Sequence, residues 1–243
     1  MPETVIIIPV WDNLRFTLVS TQQIFQTTPG DYALLIVDNG SEDDTPRFLR
    51  DMEAQHPEKF FTITNPENYG YPRALNQGIA WGIEHGCEYF LCLNNDIIIT
   101  DASWLGCLIS PLREDRQQLL GARLIDFNEL ARFNGELIPY LEGWALAFHK
   151  QFLEDVGRFD EEYTPGWFED VDLSWRAAKK GYRLTQGACF AWQHRGTQRE
   201  GPLWHLGGQT GYGRLDSVGI LKKNQAYFAE KFGLEKSEGT WLG

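Results

Sequence analysis

The chain has 243 residues, and 42% of them are hydrophobic, which is enough for one large domain with a substantial core or for two small domains. We predict one domain with two halves. The formal net charge of −12 argues against a nucleic-acid-binding protein, because such a surface needs clustered Lys and Arg side chains.

Strand and helix patterns alternate through the first half of the chain. The strand segments are continuous apolar runs, such as TVIIIPV and YALLIVDNG, of the kind found in parallel strands covered on both faces. The predicted elements, in chain order, are a strand at 4–10, a helix, a strand at 32–40, a helix with its N-cap at Thr45 and first-turn Pro46, a strand at 59–65, a helix at 71–86 and a strand at 87–96. This order predicts a doubly wound α/β sheet, which binds ligands at the carboxyl ends of its strands.

The second half of the chain mixes short strands with glycines and aromatic residues. The segment at 119–127 is strand-like, the segment at 165–184 contains a helix that Gly181 ends, and the segment at 221–233 is typical of an amphipathic helix. Six of the nine tryptophans lie in this half. Their flat indole faces suit either core packing or the apolar faces of sugar rings.

Cysteine usage and the N-terminus bear on the compartment. The four cysteines, Cys87, Cys92, Cys107 and Cys189, form no CxxC pair, and such scattered residues are typical of reduced core thiols in the cytosol. The N-terminal segment lacks the basic flank of a signal peptide, and no apolar run approaches the roughly 20 residues of a membrane helix. We therefore expect a cytoplasmic protein without an integral membrane segment, and peripheral association with the inner face of a membrane stays open.

Polar residues follow every predicted strand of the first half. Because the carboxyl ends of parallel strands share one edge of a sheet, we expect Asp38 and Asp96 to lie along the same edge. Asp38 also fits an ordinary Asp-Asn-Gly turn. Asp96 ends a buried strand, where an unpaired carboxylate is costly, and a divalent cation such as Mg²⁺ or Mn²⁺ held together with diphosphate oxygens would pair with it. Neither GxxxxGK[ST] nor GxGxxG follows the first strand.

Two further groups are candidates for chemistry. Glu169 and Asp170 begin a predicted helix, where the helix dipole favours negative charge, so capping alone would account for them. Capping does not require the aromatic residues Trp167 and Phe168 just before them, and aromatic neighbours can tune a carboxyl pKa for proton transfer. His194 fits either a structural role or metal coordination through a neutral imidazole nitrogen.

A series of segments in one order carries a family resemblance over about residues 4 to 200. The segments are VIIIPVWDN, LLIVDNGSEDDT, NPENYGYPRALNQGI, YFLCLNNDIII, EGWALAFHKQFLEDVGRFDE, FEDVDLSWRAAKKGYRL and HRGT. In them the chain resembles the family 2 glycosyltransferases, including a rhamnosyltransferase-like subgroup. The resemblance implies the A-type fold, a Rossmann-like doubly wound mixed sheet, in a single domain over 1–243. It also implies a nucleotide-sugar-binding half at about 1–113, an acceptor-binding and catalytic half at about 114–215 and a C-terminal helix at 216–243.

The resemblance implies roles for individual residues. Trp11 and Asp38 would contact the nucleotide base, with Asp38 accepting from the imide N–H of uracil or thymine. Asp96 would bind the metal, with His194 as a second ligand, because the first two positions of the NND segment are amides. Asp170 would be the catalytic base. The remaining assignments are nucleotide-sugar contacts by Pro9, Arg73 and Asn95, and acceptor contacts by Glu169, Trp144 and Trp167.

The implied activity is inverting transfer of a hexosyl or deoxyhexosyl group from a UDP- or dTDP-sugar, assisted by Mn²⁺ or Mg²⁺. The implied acceptor is a hydroxyl of a glycan or of a lipid-linked saccharide, as in polysaccharide biosynthesis. Two alternatives stay open. A sugar nucleotidyltransferase would carry a glycine-rich basic loop after the first strand, which PVWDNLR does not provide. A sugar-nucleotide-binding module without catalysis would accommodate the amides Asn94 and Asn95, although Glu169, Asp170 and His194 are present.

Overall fold

A computed structural model describes residues 2–126, 131–187, 191–192, 199–200, 203–206 and 215–235. Its helices are α1 Leu14–Thr27, α2 Thr45–Gln55, α3 Tyr71–Glu84, α4 Trp104–Glu114, α5 Lys150–Asp155, α6 Glu169–Lys179 and α7 Ser217–Phe232, with a short 3₁₀ helix at Glu161–Tyr163. Its strands in the first half are β1 Thr4–Val10, β2 Tyr32–Asn39, β3 Phe60–Asn65, β4 Tyr89–Leu93 and β5 Ile97–Ile99. Those in the second half are β6 Gln118–Gly121, β7 Leu124–Ile125, β8 Arg132–Phe133, β9 Glu136–Leu137, β10 Tyr140–Leu141, β11 Ala145–His149, β12 Arg183–Gln186, β13 Ala191–Trp192, β14 Arg199–Glu200 and β15 Leu203–His205.

The central element is a seven-stranded sheet in the order β12-β6-β11-β4-β1-β2-β3. Strands β1 to β4 are parallel, whereas β11 is antiparallel to both of its neighbours, β4 and β6. The predicted doubly wound mixed sheet is therefore confirmed. The chain passes outward from β1 through β2 to β3 and then returns to place β4 on the other side of β1. This reversal of strand order opens a crevice at the carboxyl ends of β1 and β4, where open α/β sheets bind ligands.

Helices cover both faces of the sheet, which explains why its strands are continuous apolar runs. In β1, Ile6 and Ile8 pack against one core cluster, which contains residues of α1, α2 and α4. Val5 and Ile7 point to the opposite face and pack against residues of α3, α5 and α6. A third cluster joins α6 to α7 through aromatic residues that include Phe168 and Phe228.

Several predicted boundaries differ from the structure. The N-cap of α2 is Asp44, and Thr45 is the first helical residue, so the predicted cap is wrong by one position. The predicted strand at 119–127 divides into β6 and β7, which pair with different partners, and residue 127 lies outside the described residues. Helix α7 begins at Ser217, before the predicted 221.

The described cysteines correct one expectation. Cys87 and Cys92 are free and buried, whereas Cys107 on α4 is disulfide-bonded. The expectation of reduced thiols throughout is therefore wrong for Cys107, because spacing along the chain does not reveal which cysteines approach each other in the fold. None of the helices in the described ranges combines the length and the apolar character needed to span a bilayer.

Two helix glycines give a matched test of the packing. A Cβ on Gly78 of α3 would lie 2.3 Å from Ile7 Cγ2 on β1, whereas a Cβ on Gly106 of α4 would meet nothing nearer than Ser110 Oγ at 3.9 Å. We expect Gly106→Ala to raise the free energy of unfolding by about 0.5–1 kcal/mol, because alanine is the better helix former. Gly78→Ala should lower it by about 1–3 kcal/mol through overpacking. Urea denaturation of both variants measures this, and equal stabilisation by the two would contradict the close packing of α3 on β1.

Candidate active site

The loops that follow β1, β2 and β3 are tied together at the carboxyl edge of the sheet. The Asn39 amide donates to Asn68 Oδ1 at 2.8 Å and accepts from Asn65 Nδ2 at 3.0 Å. The Asp12 backbone N–H donates to Ser41 Oγ at 2.7 Å. These hydrogen bonds hold the edge that carries the predicted nucleotide-sugar contacts.

The predicted nucleotide-sugar contacts of the first three loops lie along this edge. Pro9 is buried near the end of β1, and Trp11 follows it, half-buried. Arg73 is exposed in the first turn of α3, and its guanidinium lies 4.2 Å from the centre of the Tyr69 ring. All three contacts stay predictions.

Asp38 is fully buried at the end of β2. Its Oδ1 accepts the Ser41 backbone N–H at 3.0 Å, and its Oδ2 is buried without a hydrogen-bond partner among the described residues. Burial raises the pKa of Asp38 above its ordinary value, and the hydrogen bonds from Ser41 partly oppose this shift. A turn former needs only the first of these oxygens, so the second is the acceptor that a ligand N–H would satisfy.

The NND segment follows β4, and its two amides point in different directions. Asn95 is 5% exposed, and its Nδ2 donates to Thr17 Oγ1 on α1 at 3.0 Å, so its ribose contact stays a prediction. Asn94 instead accepts from the Tyr71 hydroxyl at 2.8 Å. Its Nδ2 lies 3.0 Å from His205 Nε2.

Asp96 meets a histidine that sequence analysis did not single out. Its Oδ1 lies 3.0 Å from His205 Nε2, the same nitrogen that Asn94 approaches. One imidazole nitrogen cannot accept from an amide and donate to a carboxylate at the same time. In the tautomer with the proton on Nε2, His205 donates to Asp96. In the tautomer with the proton on Nδ1, the Nε2 lone pair and the Asp96 carboxylate both present electron pairs at short range, as a cation site requires.

The Trp144 ring packs against the His205 ring. The two rings are stacked, with centroids 5.1 Å apart and planes 4° apart. The indole N–H donates to Glu142 Oε2 at 2.9 Å, and Glu142 pairs with Arg123 at 3.1 Å. Trp144 is only 5% exposed, so its most evident contact is with the imidazole, and acceptor contact stays a prediction.

Asp170 lies in the first turn of α6, and backbone groups hold both of its oxygens. The Gly143 N–H donates to Oδ2 at 2.9 Å, and the Val171 N–H donates to Oδ1 at 2.8 Å. Burial raises the pKa of Asp170 to about 6, although these hydrogen bonds favour the ionised form. Near neutral pH the side chain is therefore a carboxylate with a pKa suited to accepting a proton.

Glu169 precedes Asp170 and is 5% exposed. Burial, and then the charge of Asp170, raise the pKa of Glu169 well above its ordinary value. Its Oε2 has no hydrogen-bond partner among the described residues. Both carboxyl groups thus have raised pKa values, which capping of α6 does not require. Trp167, just before this turn, is half-buried.

Tyr71 joins the two sides of the site. Its hydroxyl lies within hydrogen-bonding distance of Asn94 Oδ1 at 2.8 Å and of the Gly143 carbonyl at 3.1 Å. Burial raises the pKa of Tyr71 well above its ordinary value, and charges that include Asp170 and Asp96 add to the shift. The carboxylates of Asp96 and Asp170 therefore both lie near this one hydroxyl.

Three residues of this arrangement were not predicted: Tyr71, Gly143 and His205. Asn94 was named only as an amide of the NND segment, without a role. Tyr71 and Gly143 lie within segments that carry the family resemblance, which was the available signal, whereas His205 lies beyond them. The predicted metal ligand His194 lies outside the described residues. In the described ranges no three metal-binding side chains converge, so Asp96 and His205 are the pair on which a cation site can be argued.

Comparisons with known proteins identify the family and the fold. A family model described as Glycosyl transferase family 2 matches residues 5–168. The poly-beta-1,6-N-acetyl-D-glucosamine synthase of Staphylococcus epidermidis is 26% identical over 62% of this chain and 40% of its own length. The pre-mycofactocin glycosyltransferase of Mycobacterium tuberculosis is 25% identical over 82% of this chain and 44% of its own length. The chain thus spans less than half the length of these curated relatives.

Solved structures share the fold. A mannosyltransferase from Pyrobaculum calidifontis, in complex with GDP-Man and Mn²⁺, superposes with a TM-score of 0.61 at 20% identity and covers 75% of this chain and 54% of its own. GalNAc-T7 with UDP, GalNAc and Mn²⁺ gives a TM-score of 0.61 at 12% identity over 76% of this chain and 42% of its own. These likenesses confirm the predicted A-type glycosyltransferase fold. Because the family model covers more than half of the sequence, the chain belongs to glycosyl transferase family 2.

Proposed function

We propose that the protein is an inverting glycosyltransferase that moves a sugar from a UDP- or dTDP-sugar to an acceptor hydroxyl. The observation that carries the proposal is the arrangement around Tyr71. On one side is Asp170, an ionised carboxylate held by two backbone N–H groups, and on the other is Asp96 beside His205. A base and a cation site facing each other across a cleft are the two groups that direct displacement of a nucleoside diphosphate needs.

The preference for a uracil or thymine nucleotide rests on Asp38. Its Oδ1 is occupied by the Ser41 N–H, so Oδ2 is the one oxygen open to a ligand among the described contacts. A single buried acceptor matches the single imide N–H of uracil or thymine. Guanine presents two neighbouring donors on the corresponding edge and would use both carboxylate oxygens. This supports UDP- or dTDP-sugars over GDP-sugars, although one structural neighbour holds GDP-Man.

The cofactor proposal rests on the donor set of the second side. A carboxylate suits Mg²⁺ and Mn²⁺, and an added imidazole favours the softer ion, so Asp96 and His205 fit Mn²⁺ better. Both neighbouring structures named above contain Mn²⁺. A bound cation would neutralise the charge that develops on the diphosphate as it leaves. His194 remains a proposed ligand alongside His205.

The chemistry proposed for Asp170 follows from its position. An acceptor hydroxyl is a poor nucleophile at neutral pH, so Asp170 takes its proton as the oxygen attacks the anomeric carbon. Attack from the face opposite the leaving diphosphate inverts the configuration. Glu169, whose pKa is raised well above its ordinary value, would hydrogen-bond a sugar oxygen of the acceptor beside Trp167. Tyr71, kept neutral by its raised pKa, positions Asn94 without adding charge.

The proposed division of the chain follows the same arrangement. Residues 1–113 supply Asp38 and Asp96 for the nucleotide sugar, residues 114–215 supply Asp170 and His205, and residues 216–243 contain α7. We propose a glycan or a lipid-linked saccharide as the acceptor, since either provides the hydroxyl that Asp170 would deprotonate. We retain the cytoplasm, including the inner face of a membrane, as the proposed location. The buried free thiols of Cys87 and Cys92 support it, whereas the disulfide at Cys107 argues against it.

A donor screen tests the proposal together with the role of Asp38. We expect slow hydrolysis of UDP- or dTDP-sugars, but not of GDP-sugars, in the presence of Mn²⁺. Asp38→Asn should weaken binding of the preferred nucleotide about 10- to 100-fold, because an amide can place a donor opposite the imide N–H. Isothermal titration calorimetry measures this, with Asp31→Asn, an exposed residue just before β2, as the control.

Other outcomes would favour the alternative functions. Release of pyrophosphate from a sugar phosphate and a nucleoside triphosphate would indicate a nucleotidyltransferase. Tight binding of a nucleotide sugar without hydrolysis or transfer would indicate a binding module. A clear preference for GDP would contradict the role given to Asp38 while leaving glycosyl transfer intact.

A further inference from the structure

The turn that precedes the acid pair has an unfavourable backbone. Trp167 and Phe168 are consecutive non-glycine residues with φ of 67° and 80°. Such left-handed conformations persist only where the surrounding structure holds them, and they concentrate near functional groups. Because Phe168 directly precedes Glu169, this turn sets the direction in which α6 presents both acids.

Asn224 of the C-terminal helix α7 binds this turn. Its Nδ2 donates to the carbonyl oxygens of Trp167 at 2.8 Å and Gly166 at 2.9 Å, and a third carbonyl, that of Tyr163, lies at 3.4 Å. Asn224 is fully buried, although asparagine is a poor residue for a helix interior. One amide group thus hydrogen-bonds the carbonyl oxygens on either side of Trp167, the first residue of the strained turn.

Two further contacts tie α7 to the same region. Phe228, one turn after Asn224, packs edge to face against Phe168 with ring centroids 5.2 Å apart. Lys231 binds Asp172 in the first turns of α6 at 2.5 Å and Asp160 at 2.7 Å. One face of α7, which carries Asn224, Phe228 and Lys231, therefore packs along the strained turn and the start of α6.

The opposite side of the turn rests on the nucleotide-sugar half. The Tyr71 backbone N–H at the start of α3 donates to the Pro165 carbonyl at 2.8 Å. A Cβ on Gly70 would lie 2.3 Å from Thr164 Oγ1, so this contact is close. The turn is therefore held between α3, which belongs to the donor side, and α7.

We propose that Asn224 is a positioning residue for the general base, which holds the Trp167–Phe168 turn in the strained form that directs Asp170 into the cleft. The inference rests on the proposed function. Without the amide, water would have to hydrogen-bond the carbonyl oxygens of Gly166 and Trp167. The turn would then relax, and Asp170 would move away from the Gly143 N–H. Asn224 itself touches no reacting atom.

The test compares Asn224→Ala, which has no donor, with Asn224→Ser, which keeps one. We expect Asn224→Ala to lower kcat about 10- to 100-fold, as a displaced catalytic group does, with the KM for the donor sugar changed less than about twofold. The acid limb of kcat/KM should also move to lower pH by about one unit. Water reaching Asp170 would remove the burial that is the largest cause of its raised pKa, and this outweighs the loss of the Gly143 hydrogen bond, which acts in the opposite direction. Asn224→Ser should fall between Asn224→Ala and wild type.

Controls separate positioning from folding. Lys223→Ala, on the exposed face of the same helix, should leave kcat, KM and the pH profile unchanged. In an Asp170→Asn background, Asn224→Ala should cause no further loss of kcat, because the two changes remove one function. An NMR titration of the Asp170 carboxyl measures the same pKa change without substrate, and Asn224→Ser supplies the measurement should Asn224→Ala fail to fold.

The outcomes distinguish this inference from the proposed function. An unchanged Asp170 titration in both variants, or a loss of kcat confined to the unfolded fraction, would overturn the positioning role while leaving glycosyl transfer intact. If the wild-type protein transfers no sugar but the Asp170 titration shifts as expected, the turn is held by Asn224 and the proposed function is what fails.

Discussion

Replacement of Asp170 by Asn should reduce sugar transfer by about 10²–10⁴-fold, the range that a general base contributes. The amide keeps the size of the side chain but cannot take a proton from the acceptor hydroxyl. Donor affinity should stay near the wild-type value, because the nucleotide contacts proposed for Asp38 lie on another part of the sheet edge. Transfer assays at saturating donor, combined with calorimetry of nucleotide binding, measure both quantities.

The pH dependence of sugar transfer tests the role of Asp170 independently. Asp170 must be ionised to act as a base, and burial places its pKa at about 6, so wild-type activity should fall as the pH decreases through about 6. Asp51→Asn, which changes an exposed carboxylate on α2, serves as the matched control and should retain the profile. Transfer by Asp170→Asn at the wild-type rate would remove Asp170 from the base role and leave Glu169 as the remaining buried acid in the cleft.

Replacement of Asp96 by Ala should abolish the dependence of donor binding on Mn²⁺. A cation on the leaving diphosphate stabilises the transition state by several kcal/mol, so transfer should fall by about 10²–10³-fold. Without the carboxylate, the proposed imidazole ligands alone would hold the ion too weakly against its hydration. Calorimetry of nucleoside diphosphate binding, with Mn²⁺ and with a chelator, measures the effect directly.

Two comparisons sharpen the Asp96 experiment. Asp31→Ala removes an exposed carboxylate near the opposite end of β2 and should preserve the response to Mn²⁺. His205→Ala should weaken the response without removing it, since the carboxylate is the harder ligand. If Asp96→Ala binds the donor as tightly as wild type does, both with Mn²⁺ and with a chelator, the role given to the NND segment is wrong.

Much of the fold could be predicted because its strands are buried on both faces. Continuous apolar runs such as that of β1 identify parallel strands without knowledge of their neighbours, and the alternation with helices then fixes the class of sheet. The errors fell at boundaries. The cap of α2 shifted from Thr45 to Asp44 because both residue types suit a helix start, and local sequence cannot choose between them.

The candidate site was predictable to the extent that it depends on strand ends. Asp38 and Asp96 could be placed on one edge because parallel strands bring their carboxyl ends together. The contact between Asp96 and His205 could not, because it joins residues 109 positions apart through the pairing of β5 with β15. The direction of Asn95 toward Thr17 depends likewise on the packing of α1, which residue spacing does not specify.

The segment at 142–144 contacts both groups of the proposed chemistry. The Gly143 N–H binds Asp170, while the next residue, Trp144, stacks on His205 and accepts the backbone N–H of Asn94 at 2.9 Å. A side chain at Gly143 would lie 3.2 Å from Asp170 Cβ, so glycine is the residue that allows this approach. The proposed base and the imidazole are thus linked through two adjacent backbone residues, one hydrogen bond and one ring contact, so a shift of this short segment would move both groups together.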